Sequence, residues 1–256
     1  MMRSRGAAAA SLRGFPVVVA LPDRNYNAGA QPWARQLYLE DLVKTRLTLL
    51  TSTLAACVFS ASLVAAGQNS LSASPAEPSL ADVRRATERF KDVNAAIAAG
   101  YIRDPFDLCD TADMMGKPAA LGAMGVHYFR PDLLGITGPP SPRVAGTGTH
   151  TDFLAPAILI YEPQRDGSLQ LVAVENLVFI SAWRAAGHKD PPSFQGVPYD
   201  AMVDDPATAT DEAHMFESHF DRHVWLYRDN PNGMFAQFNP RVSCASHTGA
   251  HTHPGR

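Results

Sequence analysis

Two periods of hydrophobic and polar residues run along this chain, and they locate its elements. Leu80, Val83, Phe90, Val93 and Ile97 recur at three-, four- and seven-residue intervals, while Arg84, Arg85, Glu88, Arg89, Lys91 and Asp92 fall mostly elsewhere. This predicts an amphipathic helix with one apolar stripe. Ser79 fits its N-cap, Asp82 stands in capping-box position, and Gly100 ends it. Residues 157–179 follow the other period, alternating on both sides of Gln164-Arg165-Asp166-Gly167. The Asp-Gly pair between them predicts a hairpin. Ile158, Ile160 and Glu162 then share one face of the first strand, and the same face of the second carries Leu169, Leu171, Ala173, Glu175, Leu177 and Phe179. A carboxylate at Glu175 is costly there unless paired, protonated or bound to a cation.

Shorter signals fill in the rest. Residues 126–129 form a strand candidate carrying His127, and residues 194–199 a short edge strand. Residues 212–220 can be helical. Residues 223–227 alternate as a strand, residues 229–233 form a turn signal, and residues 234–238 can return antiparallel. The stretches 135–156 and 183–211 have loop composition. Asp104, Asp107, Asp110 and Asp113 are spaced by three but lack the alternate acids, central glycine and closing glutamate of an EF-hand, so they read as a solvated acidic loop. Together these elements predict an α+β fold: an N-terminal amphipathic helix on a largely antiparallel sheet, in one domain spanning 79–244 with long loops.

Upstream, residues 47–66 are apolar, preceded by Lys44 and Arg46 and ended by Val64, Ala65 and Ala66. This is the layout of an export signal. Val43 can correspond to a GUG start codon, so residues 43–66 are expected to be a signal peptide and residues 1–42 a mis-annotated extension. An uncleaved membrane anchor is a weaker reading because the run is rich in Ser, Thr and Ala. Lipoprotein processing at Cys57, after Leu54-Ala55-Ala56, is the less favoured variant. Residues 67–78 read as a flexible spacer and residues 245–256, with His247, His251 and His253, as a disordered tail. The expected location is periplasmic or extracellular, with no stable membrane span after cleavage.

Charge and cysteines narrow this further. Beyond residue 66 the chain holds fifteen Lys and Arg against twenty-two Asp and Glu, a net of −7, which disfavours nucleic acid and anionic membranes as partners. Two cysteines remain there, Cys109 and Cys244. In an exported protein they are expected to pair.

All nine histidines also lie beyond residue 66. Imidazoles joined by a carboxylate suit zinc, copper, iron or nickel. The candidate ligands are His127, Glu175, His219 and His223, with His214 and Asp221 in reserve. On a helix His219 and His223 could hold one ion, whereas on a continuous strand they would stand about 13 Å apart. The expectation is that His219 lies in a bend and folds back toward His223. No HExxH, Walker, GxGxxG or Gly-x-Ser-x-Gly sequence is present, so no nucleotide cofactor is expected. The expected partner is a small ligand or a metal ion. Two alternatives remain open: a metal-independent hydrolase or lyase with Glu175 and His223 as acid–base pair, and a non-catalytic envelope-associated binding module using Trp225, Tyr227 and Phe238 as an aromatic platform.

The blocks GAMGVHYF (122–129), LIYEP (159–163), LVAVENLVF (171–179), HFDRHVWLY (219–227) and NPNGMFAQFNPRVSC (230–244) resemble those of a family of small exported bacterial proteins of uncharacterised function. The resemblance covers most of residues 86–244. It implies export and a single domain, and carries no activity with it.

Overall fold

The structure is a computed structural model that describes residues 77–249. The expected extension and signal peptide, Cys57, most of the expected spacer and the end of the expected tail lie outside the described residues. Among those described, no helix is long and apolar enough to cross a membrane.

Helices and an antiparallel sheet make up the fold. Ser79 accepts a hydrogen bond from the Asp82 backbone N–H while the Asp82 side chain returns to the Ser79 N–H, which starts α1 (Leu80–Thr87). Where one continuous helix was expected, the chain forms α1, a 3₁₀ turn and α2 (Val93–Ala98). Side-chain competition for the backbone explains the interruptions. Thr87 Oγ1 donates back to the Val83 carbonyl, and Asp92, in extended conformation, accepts from the Asn94 N–H and caps α2.

The main sheet is built from β1 (Ile102–Arg103), β3 (Ala123–Phe129), β4 (Ile158–Pro163), β5 (Leu169–Phe179), β9 (His219–Val224) and β8 (Asp200–Met202), adjacent in that order, with β2 (Asp110–Thr111) also paired to β3. Each pair is antiparallel. β6 (Ser193–Phe194) and β7 (Val197–Pro198) form a separate small hairpin. Short helices α3 (Pro131–Leu134) and α4 (Ile180–Ala185) follow β3 and β5. Gly125 in β3 has φ +119°, and a Cβ there would come within 2.6 Å of the Tyr161 carbonyl oxygen. Only glycine allows β4 to lie this close.

The alternation read for the hairpin holds only in part. Ile160 faces Ala173 but Tyr161 faces Leu171, so Val172 is an extra residue, a β-bulge. Its carbonyl accepts from the Tyr227 N–H instead. Leu169 and Leu171 therefore turn to one side of the sheet with Val174 and Val178, while Ala173, Leu177 and Phe179 pack on the other. The first side meets Val83, Phe90, Ala96 and Tyr101 of the N-terminal helical segment. Coverage of the second comes from irregular chain, including Ile136, Val144, Phe216 and Val242.

Several loop assignments change. The 135–156 stretch is not a loose surface insertion: Val144 and Phe153 are buried, and Val144 bridges to Phe216. Residues 212–220 are not helical. β9 starts at His219 and stops at Val224, and residues 234–238 form turns instead of a returning strand. Trp225 and Phe238 are buried, so the three-ring platform does not exist. His247, expected in the disordered tail, is buried and bonds the Asp107 carbonyl at 2.8 Å.

Cys109 and Cys244 form a disulfide with Cα atoms 5.7 Å apart. It closes a loop of 135 residues, worth roughly 5 kcal/mol in the chain-entropy treatment. Such a bond fits an oxidising compartment.

Candidate metal centre

The irregularly covered side of the sheet carries the polar cluster. Alternation along β9 sends His219, Asp221 and His223 to this side, and the register sets His223 opposite Glu175, Asp221 opposite Leu177, and His219 opposite Phe179. His127 reaches the same layer from β3. The cluster is sealed: His127, Glu175 and His223 are 2%, 0% and 1% exposed.

These three converge. Glu175 Oε2 lies 3.5 Å from His127 Nε2 and 3.4 Å from His223 Nε2. Two ligands on a tetrahedral zinc at ordinary bond lengths stand about 3.3 Å apart, so each imidazole nitrogen already stands at coordination-shell spacing from the shared oxygen. None of these three atoms makes a hydrogen bond. His127 Nδ1 faces Asp110 Oδ2 at 3.0 Å, a carboxylate that fixes the ring and leaves Nε2 pointing inward.

His219 does not join them. β9 is a continuous strand, so His219 lies in a second group with His214 and Asp221, whose ligand atoms fall within 4.8 Å of one another. The expected bend is absent, and the four proposed ligands divide between two neighbouring groups. His219 Nδ1 faces the Glu217 carbonyl at 2.9 Å, leaving Nε2 inward.

Burial dominates the ionisation of the cluster. It pushes His214 well below the usual imidazole range, His219 down to about 4, and His223 downward as well. A neutral imidazole is the ligating form. For His127 burial acts in the same direction, but the Asp110 and Glu175 carboxylates outweigh it and hold the ring well above its ordinary value. Burial would raise Glu175, yet the surrounding His223, His127 and His214 bring it down to about 2. Asp221 is pushed well up, first by burial and then by Glu175.

Asp110 was not among the expected site residues, and neither Asp104 nor Asp110 is solvated: both are buried. The one signal for Asp110 was its place beside Cys109, because the disulfide anchors the start of β2 and so the carboxylate that orients His127. These buried His, Glu and Asp groups could hold a metal ion. Comparison with protein-family models, with curated proteins and with solved structures gives no match.

Proposed function

We propose that this chain is an exported protein that binds a divalent transition-metal ion, zinc, copper, iron or nickel, through His127, Glu175 and His223. The observation that carries the reading is the buried approach of two imidazole Nε2 atoms to one carboxylate oxygen at 3.4 and 3.5 Å, with no hydrogen bond to any of the three. Three buried polar atoms without partners cost on the order of 1–3 kcal/mol each, and a cation satisfies all of them at once. Two histidines and a glutamate leave a four-coordinate ion one position for water or a small ligand, where the ion would supply Lewis acidity. The disulfide supports export, as does the resemblance of five sequence blocks to small exported bacterial proteins.

The test is elemental analysis of the untagged protein recovered from the periplasm or medium. One transition ion held by this group, lost in His223→Ala, is expected. A protein that neither carries nor takes up such an ion refutes the reading.

A second reading draws on the same 3.4 Å approach: Glu175 and His223 as a metal-independent acid–base pair of a hydrolase or lyase. It predicts turnover that survives exhaustive chelation.

A further inference from the structure

We propose that His214, His219 and Asp221 form a second ion site beside the first, so that the protein carries a pair of divalent transition ions. The inference rests on the metal-binding reading above and extends it.

The second group has the same unmet polar capacity as the first. Both ring nitrogens of His214, Nε2 of His219 and both oxygens of Asp221 are buried and make no hydrogen bond. The residues are 3%, 0% and 0% exposed. His219 has its Nδ1 committed to the Glu217 carbonyl, the arrangement that prepares Nε2 for a metal. His214 packs edge-on against His219 with ring centroids 5.1 Å apart. The backbone at His214 and Met215 has φ values of +38° and +70°, and the Asp211 carboxylate holds the Met215 N–H at 2.9 Å. This conformation delivers the imidazole into the layer.

Two ions account for the arrangement better than one. His223 presents Nε2 to Glu175 at 3.4 Å and Nδ1 to Asp221 Oδ2 at 3.9 Å. The two nitrogens of one imidazole diverge and cannot bind the same ion, and the ligand atoms accordingly fall into two groups, one with Glu175 and one with Asp221. Asp221 Oδ2 also lies 4.0 Å from His219 Nε2, which places this carboxylate between His219 and His223. The rings of His127 and His214 stack with centroids 5.8 Å apart, so the two groups adjoin. Two adjoining ions would be placed to share a small ligand such as water or hydroxide.

The test is zinc stoichiometry by equilibrium dialysis at limiting free zinc. The full chain carries His251→Ala and His253→Ala so that the tail is not counted. Two zinc ions per chain are expected, falling to one in a His214→Ala, His219→Ala variant that still binds through His127, Glu175 and His223. The isosteric Asp221→Asn is expected to weaken the second equivalent at least tenfold and keep the first, so the proposal stands or falls even if the double variant does not fold. One zinc that the double variant retains overturns the second site and leaves the first reading intact. One zinc lost both in the double variant and in His127→Ala means a single shared ion and also overturns the pair. No zinc in any form removes both readings.

Discussion

The two sides of the central sheet are built from the same strands but settle their polar groups in opposite ways. On the helix-covered side three buried hydroxyls find backbone acceptors: Tyr161 Oη donates to the Phe90 carbonyl, Tyr101 Oη to the Pro156 carbonyl, and Thr87 Oγ1 to the Val83 carbonyl, all within 2.8 Å. On the other side, imidazole nitrogens and carboxylate oxygens lie equally buried and unpaired. The ions proposed above would satisfy these atoms.

That comparison breaks first under chelation. If metal fills the unpaired layer, removing it with a strong chelator lowers unfolding stability by about 4 kcal/mol at a free ion concentration a thousand times Kd. Calorimetry with and without chelator measures this, and His223→Ala should shrink the difference by removing the ion held with His127 and Glu175. Next in size is Leu159→Ala on the paired side, where Leu159 is fully buried. Denaturant unfolding should show a loss of about 3 kcal/mol, the same with and without metal. An effect that depended on metal would mean the two layers are not independent.

Asp110→Asn is a smaller change that acts on orientation alone. It keeps the volume but weakens the acceptor for His127 Nδ1, and is expected to reduce metal affinity 10- to 100-fold with little change in the stability of the stripped protein. Competition against a chromogenic chelator reads this out.

The smallest effect concerns Asp104, whose carboxyl is pushed up to about 6, chiefly by burial and then by Asp110. Because its folded value lies above its unfolded one, its contribution to stability is full below about pH 3.8 and is lost as pH rises through about 6. Asp104→Asn should therefore raise stability at pH 7.5 and leave it unchanged near pH 3.5. Melting curves at the two pH values, on metal-free protein, decide this.

The hairpin formed by β4 and β5 was legible because both strands alternate and Asp166-Gly167 marks the turn; Glu175 stood out as a carboxylate on the more apolar face. β9 was not legible at its start. It is buried on both sides, and its site-facing positions are His219, Asp221 and His223, so the polar residues themselves erase the hydrophobic alternation that marks a strand. Val172 carries no sequence signal, because a bulge residue between Leu171 and Ala173 has no signature distinct from the apolar residues around it. Asp110 was read as one of four evenly spaced acids, and only the tertiary pairing of β2 with β3 brings it to His127.

The placement of three polar side chains at alternate positions of β9 makes the strand its own register mark. A slip of one residue against β5 would turn His219, Asp221 and His223 into the layer of Phe90 and Tyr101 and bring Phe220, Arg222 and Val224 to face Glu175. Such a misaligned sheet would bury charge among aromatic rings and lose every ligand from β9 together. The ions would then act as proofreaders of assembly, rewarding only the chain whose last long strand has docked in its proper phase.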